Sequence, residues 1–147
     1  MKKKALGYTL VEILVVLSII AVMMAAAIVS YGSVTRKSRD SKRKSDIEQV
    51  RQALEMYRAD NLTYPACTGM SEVDCLAGVT GFSTYLQTVP TDPKASVTGF
   101  TYYYERPSTT SYCLSMFSES ETLEKTAGIC TKPAGPSGAV LYQVTNP

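Results

Sequence analysis

From Tyr8 to Ser30 the chain runs without proline or glycine, and Glu12 is its only charged residue. At a rise of about 1.5 Å per residue, about 20 apolar residues cross a bilayer core about 30 Å thick, so the segment predicts a membrane-spanning helix. A carboxylate inside such a helix costs on the order of 2.5 to 3.5 kcal/mol and normally has a partner and a task. The nearest cation, Lys4, lies about 12 Å away along a helix axis, too far for an ion pair. A cut after Gly7 would create a better partner. The new α-amine of Tyr8 would stand one helical turn from Glu12, or within reach of Glu12 on a neighbouring copy.

Residues 1–7 are too short for a secretory signal, which places its apolar stretch before the cut and loses it. Here the small residue precedes the apolar stretch, so cleavage at Gly7 would discard Lys2, Lys3 and Lys4 and leave the membrane helix on the product. Losing three lysines turns the formal charge from +2 into −1, so charge alone points to no partner. The residues beyond Ser30 suffice for one small domain with a modest core.

Cys67, Cys75, Cys113 and Cys130 make an even count, and none stands in a Cys-x-x-Cys pair. With no histidine in the chain, a zinc site would need all four thiolates at unhelpful spacing, so paired disulfides outside the cytoplasm are the better reading. Of three connectivities the local one is expected, Cys67 with Cys75 and Cys113 with Cys130, because each closes a short loop. The second ring is worth about 3 kcal/mol on a chain-entropy estimate. Positive charges argue against this topology: six cations between Arg36 and Lys44 follow the helix and would place the following domain in the cytoplasm. The cysteines outweigh them here.

Helical character continues past the membrane segment. Val34 to Asp60 contains no proline or glycine, and Ile47, Val50, Leu54 and Tyr57, with Ala53 beside them, recur at spacings of three and four. Glu48, Gln49, Arg51, Gln52, Glu55 and Arg58 occupy the opposite face. Gly32 is the sole interruption from Tyr8 to Asp60, and Asn61 with the Tyr64-Pro65 step ends the helix. A loop-rich stretch over 61–96 follows, with a short helix expected at Phe82 to Gln87. The period then becomes two. Phe100, Tyr102 and Tyr104 alternate with Thr101, Tyr103 and Glu105; after a turn at Pro107 to Thr110, Tyr112, Leu114 and Met116 alternate with Cys113, Ser115 and Phe117. A third strand is expected at Ala139 to Val144. Strands this short need an apolar partner, and the Ile47–Tyr57 stripe is the candidate of the right length. The fold class predicted is α+β: a long N-terminal helix packed on a small antiparallel sheet. Its expected parts are a leader at 1–7, a membrane helix at 8–30, an amphipathic continuation at 31–60 and a loop-plus-sheet domain at 61–147.

Gly7-Tyr8-Thr9-Leu10-Val11-Glu12, after a lysine leader and before an apolar helix, closely resembles the N-terminal motif of type IV prepilins and their pseudopilin relatives. The likeness extends through Ser45-Asp46-Ile47, Ala53-Leu54-Glu55-Met56-Tyr57 and Asp60-Asn61 to Tyr64-Pro65, about the first 65 residues. The resemblance implies a pilin fold, cleavage after Gly7 by a prepilin peptidase and N-methylation of Tyr8. It also implies residence in the cytoplasmic membrane until an assembly ATPase and a platform protein drive the subunits into a helical filament. Phenylalanine is usual in the family at the place of Tyr8. A glycine at the place of Ala21 and a proline at that of Val29 are frequent, and neither is present. Secretion pseudopilins often carry Asp-Pro-Trp and a calcium loop. Here Asp92-Pro93 precedes Lys94 and a Cys113–Cys130 loop replaces the calcium pattern, so a pilus subunit is expected ahead of a pseudopilin.

At Glu12 the plain alternative is a polar residue tolerated near the bilayer interface, and at Gly7 a mere helix-start residue. The electrostatic reading makes Glu12 an assembly residue: paired with the Tyr8 amine of an adjacent copy, it sets an axial stagger of roughly 5 to 10 Å. The Arg36–Lys44 run reads first as a solvated juxtamembrane segment, second as a partner for Glu119, Glu121 and Glu124 of a neighbouring subunit, and only weakly as a nucleic-acid contact, since no aromatic interleaves it. Those three glutamates lack the spacing of a calcium loop, the tyrosines at 102 to 104 read as sheet packing, and Asn61-Leu62-Thr63 is a chance sequon. No metal or cofactor is expected. With no histidine, free-thiol site or phosphate loop, catalysis is not expected either. The reading is a structural filament subunit, with a type II secretion or DNA-uptake pseudopilin as its near alternative and a membrane-anchored monomeric extracytoplasmic binding protein as its distant one.

Overall fold

The computed structural model describes residues 7–69, 71–96, 99–120 and 130–146. The chain forms two compact units, 1–35 and 36–147, and one helix, α1 (Leu10–Asn61), contributes to both.

In the first unit α1 is apolar on every side. Leu10–Ile28, 19 residues long, is long and apolar enough to cross a membrane, and its side chains are exposed throughout. Its hydroxyls bond back to the helix: Ser18 Oγ donates to the Val15 carbonyl at 2.7 Å and Thr35 Oγ1 to that of Tyr31 at 2.8 Å. A polar side chain in such a segment is thereby satisfied without water. Gly32 does not interrupt the helix, in keeping with the modest penalty of about 1 kcal/mol for glycine relative to alanine.

In the second unit the sequence pattern becomes amphipathic, and its apolar stripe is the core. Ile47, Val50, Ala53 and Leu54 are buried and Tyr57 packs beside them. The helix ends on Asn61, one residue later than expected, and its amide Nδ2 donates to the Tyr57 carbonyl at 2.9 Å. Leu62 follows with φ +60°, its N–H bonding the Arg58 carbonyl at 2.8 Å. This left-handed cap normally favours glycine.

The antiparallel sheet has strand order β1 (Ser71–Glu72), β2 (Tyr103–Ser108), β3 (Ser111–Ser118), β4 (Val140–Thr145). Tyr104, Tyr112, Leu114 and Met116 reach the same core as the helix stripe, together with Tyr102 just before β2. The alternation thus points as expected, but the boundaries move. β2, the first of the expected strands, starts at Tyr103 rather than Phe100 and runs through Pro107, which was expected in the turn. Pro107 lies where the register shifts between Glu105 and Ser108, the kind of irregular ladder site that tolerates a residue without an N–H. The third strand is shifted by one residue, and the expected Phe82–Gln87 helix is a single 3₁₀ turn, Phe82–Thr84, preceded by a second at Val73–Gly78.

One departure is larger. β3 is buried on both faces: Cys113, Ser115 and Phe117, expected on the alternate side, are as inaccessible as Tyr112 and Leu114. The cover comes from residues 130–136. Cys130 is bonded to Cys113, Gln143 Nε2 bridges Ser115 Oγ at 3.1 Å and the Thr131 carbonyl at 3.0 Å, and the Phe117 ring lies where a side chain on Gly135 would stand. The other disulfide joins Cys67 to Cys75. Both pairings are the local ones expected.

Candidate assembly site

Gly7, Tyr8 and Glu12 stand at the exposed start of α1, Tyr8 at 84% accessibility. Thr9 is the residue before the helix and Glu12 the third within it. The Thr9 N–H donates to Glu12 Oε2 at 3.0 Å, the Thr9 hydroxyl donates to the same oxygen at 3.1 Å, and the Glu12 N–H returns a bond to Thr9 Oγ1 at 3.2 Å. This is the reciprocal capping box that satisfies orphan donors at a helix start. It corrects the expectation that Glu12 lacks a partner in the uncut chain: its carboxylate is held by Thr9. The signal was present as Thr9-x-x-Glu12. No cation pairs with the Glu12 carboxylate among the described residues.

The Arg36–Lys44 run is also corrected. Arg36, Lys37, Lys42 and Lys44 are exposed, as a solvated segment requires, but Arg43 is wholly buried. Its Nε and Nη2 grip Asp92 at 2.7 and 3.0 Å, and Nη1 reaches Asp40 at 2.7 Å and Glu119 at 3.0 Å. The second reading of the run paired it with Glu119 of a neighbouring subunit. Glu119 is instead taken within its own chain, by Arg39 in a two-bond fork at 2.7 and 2.6 Å and by Lys94 at 2.9 Å. Glu121 and Glu124 lie outside the described residues. Three of the six cations available to nucleic acid are therefore already engaged, Arg39 and Arg43 closely and Lys42 at 4.0 Å from Asp46.

The cluster fastens the helix to the end of β3. Asp40 accepts the Ser118 hydroxyl at 2.8 Å and the N–H groups of Glu119 and Ser120 at 3.0 and 2.9 Å. Burial pushes its carboxyl up, but these bonds and Arg43 outweigh burial and leave it below the usual range. Glu119 is held down to about 2, foremost by the Arg39 fork and then by Lys94 and Arg43 against its partial burial. Burial opposes the charge on Arg43, yet Asp92 and Asp40 raise its pKa overall. The Phe100 ring completes the enclosure, with the Arg43 guanidinium carbon 4.9 Å and the Lys94 ammonium 5.2 Å from its centre. A single run of charge thus supplies both solvated cations and a core arginine. Asp40 and Arg43, three apart in the run, were the sequence signal, but their distant partners Asp92 and Glu119 carry none.

A second polar group secures the Tyr64-Pro65 step. The hydroxyls of Tyr64 and Tyr112 each donate to Glu55 Oε1 at 3.1 Å, and Tyr104 donates to the Pro65 carbonyl at 2.8 Å. Burial raises the Tyr112 and Tyr104 hydroxyl pKa values, which keeps both neutral donors. Among the described residues no group of three or more His, Cys, Asp or Glu is placed to hold a metal ion.

A long N-terminal helix with an apolar first half, packed through its second half on a small antiparallel sheet and opening on a prepilin-type hexapeptide, defines a pilin-like protein. Comparison with known families agrees along most of the chain: residues 2–28 match the prokaryotic N-terminal methylation motif and residues 30–126 the family described as type II secretion system (T2SS), protein G. The chain belongs to the type II secretion system protein G family. It is similar to the type II secretion system core protein G of Pseudomonas aeruginosa strain PAO1, 32% identical over 65 residues, or 44% of this chain and 46% of the relative. It is likewise similar to the core protein G of Aeromonas hydrophila, 33% identical over 64 residues, covering 44% and 45%. The chain thus matches less than half the length of these curated relatives. No solved structure matches it. These findings favour the secretion pseudopilin over the pilus subunit expected from the Asp92-Pro93-Lys94 departure. In the structure the departure is local: Asp92 keeps a structural task, and Lys94 takes a place against Phe100 and Glu119.

Proposed function

We propose that this chain is a pseudopilin, a structural subunit that polymerises with copies of itself in a type II secretion machine. In this reading a prepilin peptidase cuts after Gly7 and Tyr8 becomes the methylated N-terminus. Leu10–Ile28 anchors the subunit in the cytoplasmic membrane, with the disulfide-bonded unit on the extracytoplasmic side. An assembly ATPase and a platform protein then move subunits from membrane to filament, where copies bury one another's apolar helices. The observation that carries the reading is the wholly exposed apolar stretch that the hexapeptide opens, on a chain of the protein G family.

The capping box gives Glu12 a specific part. Within one chain it is bonded but not neutralised; the Tyr8 amine of a neighbour would neutralise it. Exchange of a neutral donor for a charged one at a site shielded from water roughly doubles the hydrogen-bond strength, which rewards one register of packing. Replacing Glu12 by Ala should leave membrane-inserted protein and no filaments by electron microscopy of cells overproducing the subunit. Filaments in normal number from that variant would remove the role.

A further inference from the structure

Beside the buried cluster an open cavity of ≈ 360 Å³ is lined by Arg36, Arg39, Lys94, Phe100, Glu119 and Ser137. Among the described residues its charges do not balance. Arg36, Arg39, Arg43 and Lys94 face three carboxylates, of which Asp40 and Asp92 are turned onto Arg43. Among the described residues Glu119 is the one acid that lines the cavity, and it already accepts Arg39, Arg43 and Lys94. Arg36 lines the opening, is exposed, and makes no ion pair among the described residues. The position in the chain adds a second constraint. Tyr31, an exposed aromatic of the kind that settles at the bilayer interface, precedes Arg36 by five residues, and five residues span at most about 18 Å by any path. Lys37, Lys42 and Lys44 are exposed within the same run and add charge of the same sign.

A guanidinium matches phosphate oxygens with two parallel N–H bonds, and an ammonium adds a point charge. We propose that this cavity binds the phosphodiester of an anionic phospholipid headgroup, with Arg36 and Lys94 as its principal contacts and Arg39 and Ser137 beside them. The unassembled subunit thereby selects anionic lipid, and it gives up that contact on leaving the membrane. The proposal rests on the reading of Leu10–Ile28 as a membrane anchor.

Native mass spectrometry of the full chain, released from mild detergent containing equal amounts of phosphatidylglycerol and phosphatidylcholine, tests it. The wild type should retain phosphatidylglycerol by roughly 25-fold over phosphatidylcholine, at about fivefold for each of the two principal cations. Arg36→Gln should lose most of that preference, Arg36→Gln with Lys94→Gln all of it, and Arg36→Lys should keep most. Arg36 is exposed and outside the core, so its single substitution does not depend on whether the Lys94 variant folds. Equal retention of the two lipids by the wild type, or an unchanged preference in Arg36→Gln, overturns the site. A parallel arm adds inorganic phosphate at millimolar concentration. Displacement of phosphatidylglycerol by phosphate at that level would make the ligand a soluble anion and overturn the lipid assignment. Carbonate washing of membranes separates the two readings: release of the wild type overturns the anchor and the site together, whereas retention with no lipid preference overturns the site alone.

Discussion

Between Leu10 and Ile28 every large apolar side chain of α1 is exposed, Leu10 at 80% and Ile20 at 43%, whereas Val50 and Leu54 on the same helix are fully buried. The charged residues reverse this contrast. Glu12, alone in the apolar half, is held only by its own helix start, while Arg43 in the amphipathic half is enclosed by three carboxylates and an aromatic ring. The second half has its complement within the chain, down to the charges. Among the described residues the first has none, and in the proposed function lipid or other copies supply it. A helix can therefore be continuous in backbone and divided in what solvates it.

The strongest way to break this contrast is to remove the arginine on which the second half depends. Arg43→Ala leaves Asp40, Asp92 and Glu119 buried without their shared cation and should cost about 3 to 5 kcal/mol in chemical denaturation of the detergent-solubilised protein. A loss under 1 kcal/mol would mean that the cluster is solvated. The converse change falls in the first half. Ile20→Lys should weaken membrane retention by about 3 kcal/mol, read by carbonate extraction, and leave the denaturation midpoint of the sheet-bearing unit unchanged.

Acid sharpens the comparison more gently. Glu119 is held near 2 in the folded chain, below its ordinary value of 4.5, so its ion pairs stabilise fully above that value and are lost as pH falls toward 2. Thermal melts should show a midpoint that declines from about pH 4.5 to 2, and the decline should flatten in Glu119→Gln. The smallest effect is expected at the helix end. Leu62→Gly relieves a leucine held at φ +60° and should stabilise by up to about 1 kcal/mol, an amount resolved by paired urea titrations.

The parts legible in the sequence were those with a local period or a local pairing. The Ile47–Leu54 stripe, the tyrosine alternation and both disulfides follow from spacing alone, because a helix or strand repeats its buried face at fixed intervals and a short loop favours closure. Burial on the second face of β3 was not legible. It depends on Thr131 and Gly135 being folded back over Ser115 and Phe117, and nothing in a two-residue period reports a cover supplied from elsewhere in the chain. Arg43 was missed for a similar reason: its one local signal in a run of six cations is Asp40 three residues before it, and the partners that complete its burial, Asp92 and Glu119, lie 49 and 76 residues away. The capping box was local and legible.

In the proposed function the first half of α1 is completed by other copies through an end that cleavage creates. The most direct test is the intact mass of the subunit purified from the membranes of its native cells. A chain beginning at Tyr8 and carrying one methyl group is the predicted result, and a population that retains Met1 through Gly7 would contradict it.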